Sequence, residues 1–170
     1  MLPIHLDLSN KKVLIIGGGT IAARRVNAIC AEPCDITVIS PEICAEMARL
    51  IDTYKLHWKK KKVDVEDLKE AFFIVAATND HAVNEWIAKT SLPHQLVNCV
   101  SQSELGSVIM PKVIKAGKVT ISVSTSGASP ARTKQLATTI EAMLENEDIE
   151  ALDVLYMERK ERITKQRKNR

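Results

Sequence analysis

No stretch of this 170-residue chain approaches the roughly 20 consecutive apolar residues that a membrane-spanning helix requires. The opening "MLPIHLDLSN" lacks both the charged start and the apolar core of a secretion signal, so a cytoplasmic location without membrane contact is expected. The four cysteines, Cys30, Cys34, Cys44 and Cys99, include no C-x-x-C pair, which argues against a zinc site and against a disulfide framework. They read as small buried apolar residues, and no metal site is expected. Net charge is small too, at +3, and "RKERITKQRKNR" (159–170) holds seven basic residues against one acid. The basicity is therefore a property of the tail. That tail has no aromatic residue on which a base could stack, so it reads as a solvated helix end and no nucleic-acid partner is expected.

What is present fits one soluble globular core with a small extension, since 170 residues at 45% apolar are too few for two full-sized domains. Five β-branched or apolar runs bounded by turn residues read as strands: "KVLIIG" (12–17), "DITVIS" (35–40), "LHWKKK" (56–61), "FFIVAAT" (72–78) and "LVNCV" (96–100). Helix-length stretches separate them. Ala22, Val26, Ile29 and Cys30 form one apolar stripe, and Val83, Trp86 and Ile87 begin another. Strands alternating with such helices imply an α/β fold, a Rossmann-type doubly wound parallel sheet with right-handed crossovers. The lysines at 59–62 suit a solvated edge strand.

After "VIMP" (108–111) the alternation stops. "KVIKAGKVTISVSTSG" reads as a hairpin around Ala116-Gly117-Lys118 whose strands need a sheet to join. Ser129 as N-cap and Pro130 at the first helical position open a helix with Leu136, Ile140, Met143 and Leu144 on its apolar face. The expected organisation is a nucleotide-binding domain over 1–112, a small α+β dimerisation region over 113–145 and a helical basic tail over 146–170. A hairpin and an amphipathic helix on so small a unit predict a homodimer.

Gly17, Gly19 and Ala22 fit G-x-G-x-x-G/A between the first strand and the first helix, the turn that seats a dinucleotide pyrophosphate on a helix N-terminus. The second strand ends in Ser40-Pro41-Glu42. Glu42 either binds the ribose hydroxyls or begins the next helix, where an acid suits the dipole. With no arginine after that strand to receive a 2′-phosphate, NAD is expected over NADP. Tyr156 and Lys160 form a Y-x-x-x-K without the accompanying serine or glycine turn of the short-chain dehydrogenases, and read as helix surface.

"LPIHLDLSNKKVLIIGGGTIAARRV", "AATNDHAVN", "VNCVSQSELGSVIMP" and "VSTSGASPARTK", in this order, resemble the precorrin-2 dehydrogenase family of sirohaem synthesis, in its short bacterial form and as the N-terminal part of sirohaem synthase. The resemblance spans about residues 2–145. It implies oxidation of precorrin-2 to sirohydrochlorin with NAD⁺ as hydride acceptor, and a dimerisation region after the Rossmann domain. It places Thr20 and Ile21 on the dinucleotide and Pro41 and Glu42 on its adenosine side. Where sirohaem synthase-like members carry an aspartate in N-V-V-D, this chain reads "NCVS", ending in Ser101. A serine is no general base at neutral pH, so metal insertion is not expected and a separate chelatase is implied.

Ser101 is joined by Asp80, at the end of the fourth strand, and His94, before the fifth, as candidates at the catalytic position. Each has a plain alternative, Asp80 as an N-cap and His94 as a loop residue. Ser126, Ser129, Arg132 and Lys134, around the start of a helix, either seat carboxylates of a small-molecule tetrapyrrole substrate or simply cap that helix. Two other functions share these features: a dehydrogenase that is also a ferrochelatase, and a non-catalytic NAD-sensing Rossmann module.

Overall fold

The computed structural model describes residues 2–144 and 149–168. Contacts divide the chain into two compact units, one ending at Ile109 and one starting at Met110. The boundary expected between 145 and 146 lies outside the described residues.

In the first unit β1 (Lys12–Ile16), β2 (Asp35–Ile39), β3 (His57–Lys59), β4 (Phe73–Ala76) and β5 (Leu96–Cys99) form one parallel sheet in the order β3-β2-β1-β4-β5. Between them run α1 (Thr20–Asn27), α2 (Ala45–Tyr54), α3 (Val65–Leu68) and α4 (His81–Thr90). This is the expected Rossmann-type architecture. The order reverses between β1 and β4, the crevice where open α/β sheets bind ligands.

Burial explains the sequence pattern. Val13 to Ile16 and the whole of β4 are buried, so these central strands read as unbroken apolar runs, not as alternating ones. Leu14, Ile16, Ile74 and Val97 pack with Leu68 and Ile87 into one cluster. The edge strand β3 is exposed along its length and shorter than the lysine-rich run that marked it. Lys59, the last residue of the ladder, and Lys61 beyond it both pair with Asp67, and Lys61 also with Asp64. Asp64 and Asp67 form the capping box of α3, each accepting from the other's backbone N–H. Helix α1 stops at Asn27, and the last two members of its stripe, Ile29 and Cys30, are buried from the turn that follows.

In the second unit β6 (Lys112–Ala116) and β7 (Val119–Val123) pair antiparallel as a two-stranded sheet of their own. Gly117, at φ +53°, occupies the first turn position, where two-residue hairpins call for glycine. The expected alternation shows in β7, whose Val119, Ile121 and Val123 are half-buried between exposed neighbours. α5 (Pro130–Leu144) starts where the sequence placed it, with Ser129 Oγ accepting from Arg132 N–H at 3.2 Å. Its expected apolar face is open: Leu136 and Met143 are exposed, and the fully buried residue is Ala137. α6 (Ile149–Lys168) carries Tyr156 on an exposed face, under the ammonium of Lys118. All four cysteines are free. Among the described residues no helix is long and apolar enough to cross a membrane.

Candidate active site

The C-terminal ends of β1, β2, β4 and β5 lie on one edge of the sheet, because the strands are parallel and in register. Gly17 follows β1 at φ +120°, and its N–H donates to Ile39 O at 3.0 Å. A Cβ there would overlap the carbonyl oxygen of Ala77 and lie 2.7 Å from its carbonyl carbon. Two independent reasons thus require glycine. Gly18 was not singled out by the G-x-G-x-x-A pattern, yet a Cβ on it would strike the carbonyl of Glu42 and sit 2.9 Å from Ile43 Cα. The chain at the end of β2 is fixed against it: Cys44 N–H donates to Gly18 O at 2.8 Å, and Ser40 Oγ donates to Glu42 O at 2.6 Å. Trp58 Nε1 holds Ser40 O at 3.0 Å. The run of three glycines was the available sign of a second close approach.

Gly19 differs from both. No atom lies within 4 Å of where its Cβ would be, and as N-cap of α1 it leaves the first turn without a side-chain cap. The helix N-terminus therefore opens onto free space with its amides uncapped, the setting that suits a pyrophosphate. Ala22 is fully buried, so the small third residue of the motif serves helix–sheet packing. Thr20 is exposed, and Ile21 is 47% exposed at the same end. Pro41 and Glu42 are exposed after β2. Because α2 begins at Ala45 with Cys44 as N-cap, its first-turn acid is Glu46 and Glu42 stands outside the helix. These residues fit a dinucleotide.

The other two strand ends are tied together by a side chain to which the sequence reading assigned no role. Asn84, on α4, is fully buried. Its Oδ1 accepts from Thr78 N–H at 3.0 Å and from Thr78 Oγ1 at 2.8 Å, and its Nδ2 donates to Thr78 O at 2.9 Å and to Ser101 Oγ at 3.3 Å. The sign was there in "AATNDHAVN", a polar residue on the core-facing side of a helix. Asp80 is the N-cap of α4, its Oδ1 accepting from Ala82 and Val83 N–H at 2.9 and 3.3 Å. Ser101, past the end of β5, is half-buried, with Cys99 Sγ at 3.6 Å.

The structure does not bring His94 to this edge. It precedes β5 and so lies at the opposite end of the sheet, whereas His81, the first residue of α4, is exposed on the edge that carries the glycine turn. In the second unit Ser126 is exposed at φ +51°, and Ser129 is engaged as the cap of α5. Arg132 is exposed and bonds Gln135 at 2.8 Å. Lys134, two residues on, is turned roughly 200° about the helix axis from Arg132, so the two cations do not share a face.

Residues 4–112 match the family described as "Putative NAD(P)-binding". Precorrin-2 dehydrogenase of Bacillus subtilis (strain 168) is 46% identical over 162 residues, which are 95% of this chain and 100% of that protein. The chain belongs to the precorrin-2 dehydrogenase family. Precorrin-2 dehydrogenase of Priestia megaterium is 41% identical over 80% of the chain and 67% of its own length. Among solved structures, "SirC, precorrin-2 dehydrogenase" superposes with a TM-score of 0.74 at 40% identity, covering 88% of this chain and 72% of that one. The siroheme synthase of Mannheimia succiniciproducens is 34% identical, and this precorrin-2 dehydrogenase homologue spans 30% of its length.

Proposed function

We propose that the chain oxidises precorrin-2 to sirohydrochlorin with NAD⁺. The observation that carries this reading is the match at 46% identity across the entire length of a precorrin-2 dehydrogenase. The open cradle at Gly19 supports it. Bound there, NAD⁺ supplies the hydride acceptor; the substrate loses a hydride and a proton and gains conjugation.

The protein's part is placement. Gly17 and Gly19 let the backbone pass close beneath the dinucleotide, and Thr20 and Ile21 meet it at the start of α1. Pro41 and Glu42 take its adenosine side, Glu42 accepting from the ribose hydroxyls. The absence of an arginine after β2 favours NAD over NADP. Ser101 and Asp80 serve the reacting edge, and His94 drops out of the reading because of its place at the other end of the sheet. A substrate with eight carboxylate arms needs donors, and Ser126, Ser129, Arg132 and Lys134 are assigned to it, with Arg132 as the principal cation.

The reading includes a homodimer formed through residues 113–145 and a cytoplasmic location. An isolated two-stranded sheet is marginal by itself, and Val113, Leu136 and Met143 stand exposed beside it. Free thiols suit a reducing compartment. Metal insertion falls to a separate chelatase, since Ser101 offers no base.

Anaerobic incubation with precorrin-2 and NAD⁺, followed by the absorbance of sirohydrochlorin, tests the proposal. Tight NAD⁺ binding without turnover would favour a sensing module instead. Cobalt insertion into sirohydrochlorin well above the uncatalysed rate would establish the bifunctional alternative.

A further inference from the structure

We infer that Asn84 is the positioning residue of this site: its buried carboxamide holds Thr78 beside the glycine turn and orients the Ser101 hydroxyl as a hydrogen-bond donor toward a carboxylate arm of the substrate. The inference rests on the dehydrogenase reading above and adds a role within it.

An asparagine side chain has two N–H donors and an oxygen with two lone pairs. At Asn84 all four are used, by three groups of Thr78 and by Ser101. The orientation of the amide follows from its partners. Thr78 N–H can only donate, so the carboxamide oxygen must face it, which turns Nδ2 toward Thr78 O and Ser101 Oγ. The partners lie past the ends of two different strands, so one side chain sets the spacing between them. Through Thr78 it also fixes Ala77, whose carbonyl backs onto Gly17.

The polarity of the last bond decides what Ser101 can do. One lone pair of Oγ is taken by the incoming Asn84 N–H, and Cys99 Sγ lies at 3.6 Å, a long contact in which either atom can donate. With an N–H already on one lone pair and only a long thiol contact beside it, the hydroxyl proton is available to a bound acceptor such as a carboxylate. Ser101 takes no proton from the substrate.

The test is a double-mutant cycle on the full-length chain, with Asn84→Asp, Ser101→Ala and the pair. The carboxylate keeps the shape of the amide and loses both donors. At saturating NAD⁺, Asn84→Asp should lower kcat about tenfold or more in the wild-type background and by several-fold less beside Ser101→Ala, where only the Thr78 O bond remains to be lost. Thr78→Val, which removes a single partner of the carboxamide, repeats the cycle if Asn84→Asp melts below the assay temperature. A readout without substrate accompanies it: the Asn84 side-chain amide protons should exchange slowly in the wild type and faster in Ser101→Ala. Equal losses in both backgrounds, an unchanged kcat, or wild-type amide protons that exchange like those of an exposed asparagine would each overturn the inference. A wild-type chain without turnover would instead overturn the dehydrogenase reading, and the amide protons distinguish the two failures.

Discussion

Gly17 rests on the carbonyl group of Ala77 so closely that no side chain fits between β1 and β4 at that point, and its φ of +120° is one that L-residues avoid. Two residues later Gly19 has open space where a side chain would project. The same residue type is required by packing at one position and stands free of packing at the other.

That contrast gives the first prediction. Gly17→Ala should cost about 3 kcal/mol or more, through backbone strain together with the overlap, and should lower the thermal midpoint sharply. Gly19→Ala should melt within a few degrees of wild type yet weaken NAD⁺ binding about tenfold or more, because the added methyl lies where a pyrophosphate would. Calorimetry and NADH fluorescence titration separate the two, and a Gly19→Ala protein that binds normally would contradict the cradle.

Ser101→Ala, Asp80→Asn and His94→Ala, assayed together for sirohydrochlorin formation, should rank by position on the sheet. Ser101→Ala should lower kcat about tenfold, and His94→Ala should retain the full rate. Asp80→Asn should keep the fold, since asparagine caps as well as aspartate, whereas Asp80→Ala should lose about 1 kcal/mol of stability. Three variants at full rate would remove the present assignment of the reacting edge.

The pairs between the end of β3 and α3 predict an acid-sensitive increment of stability. Burial works to raise the Asp67 carboxyl pKa, but the Lys61 ammonium, the Asp64 backbone N–H and Lys59 outweigh it and leave it below the usual range. Asp64 is lowered chiefly by Lys61. A carboxylate whose pKa is depressed on folding stabilises the protein above its unfolded pKa and loses that contribution as pH falls through the folded value. Asp67→Asn should therefore lower the midpoint of urea unfolding at pH 7, and the gap to wild type should close as pH drops below about 4. A gap that persisted at pH 2 would show that charge is not its source.

Gln95 supplies a further stability test. It is 4% exposed; Nε2 donates to Leu68 O and Ala71 O, both at 2.6 Å, and Oε1 accepts from Leu92 N–H at 2.8 Å. Gln95→Ala takes a partner from each of these backbone groups, of which Leu68 O keeps the Ala71 N–H and Ala71 O loses its side-chain donor, and should cost about 1–3 kcal/mol. Gln95→Glu, which sets a carboxylate against two carbonyls, should cost at least as much at pH 7. Denaturant midpoints read both.

Much of this was legible before any coordinates. The apolar runs of β1 and β4, the alternation of β7, the Ser129-Pro130 helix start and the G-x-G-x-x-A turn each declare themselves within a few residues, because backbone period and capping are local. Element ends were less legible. "LHWKKK" read as a strand to Lys61, yet pairing stops at Lys59, and Lys61 beyond it pairs with Asp64 and Asp67 instead of continuing the ladder. The Leu136 and Met143 face of α5 was right as a pattern and left open by this chain alone.

The sequence by itself determined the order of strands and helices, the parallel α/β class, the seat for a dinucleotide and, through four spaced motifs, the family. Only the tertiary structure decided which residues meet: that Gly18 abuts Glu42, that Asn84 joins Thr78 to Ser101, and that His94 is excluded from the edge where His81 stands. The physical reason is that local patterning depends on neighbours along the chain. Contacts at the sheet edge depend instead on parallel strands carrying distant segments to one end, and no short stretch of sequence contains that information.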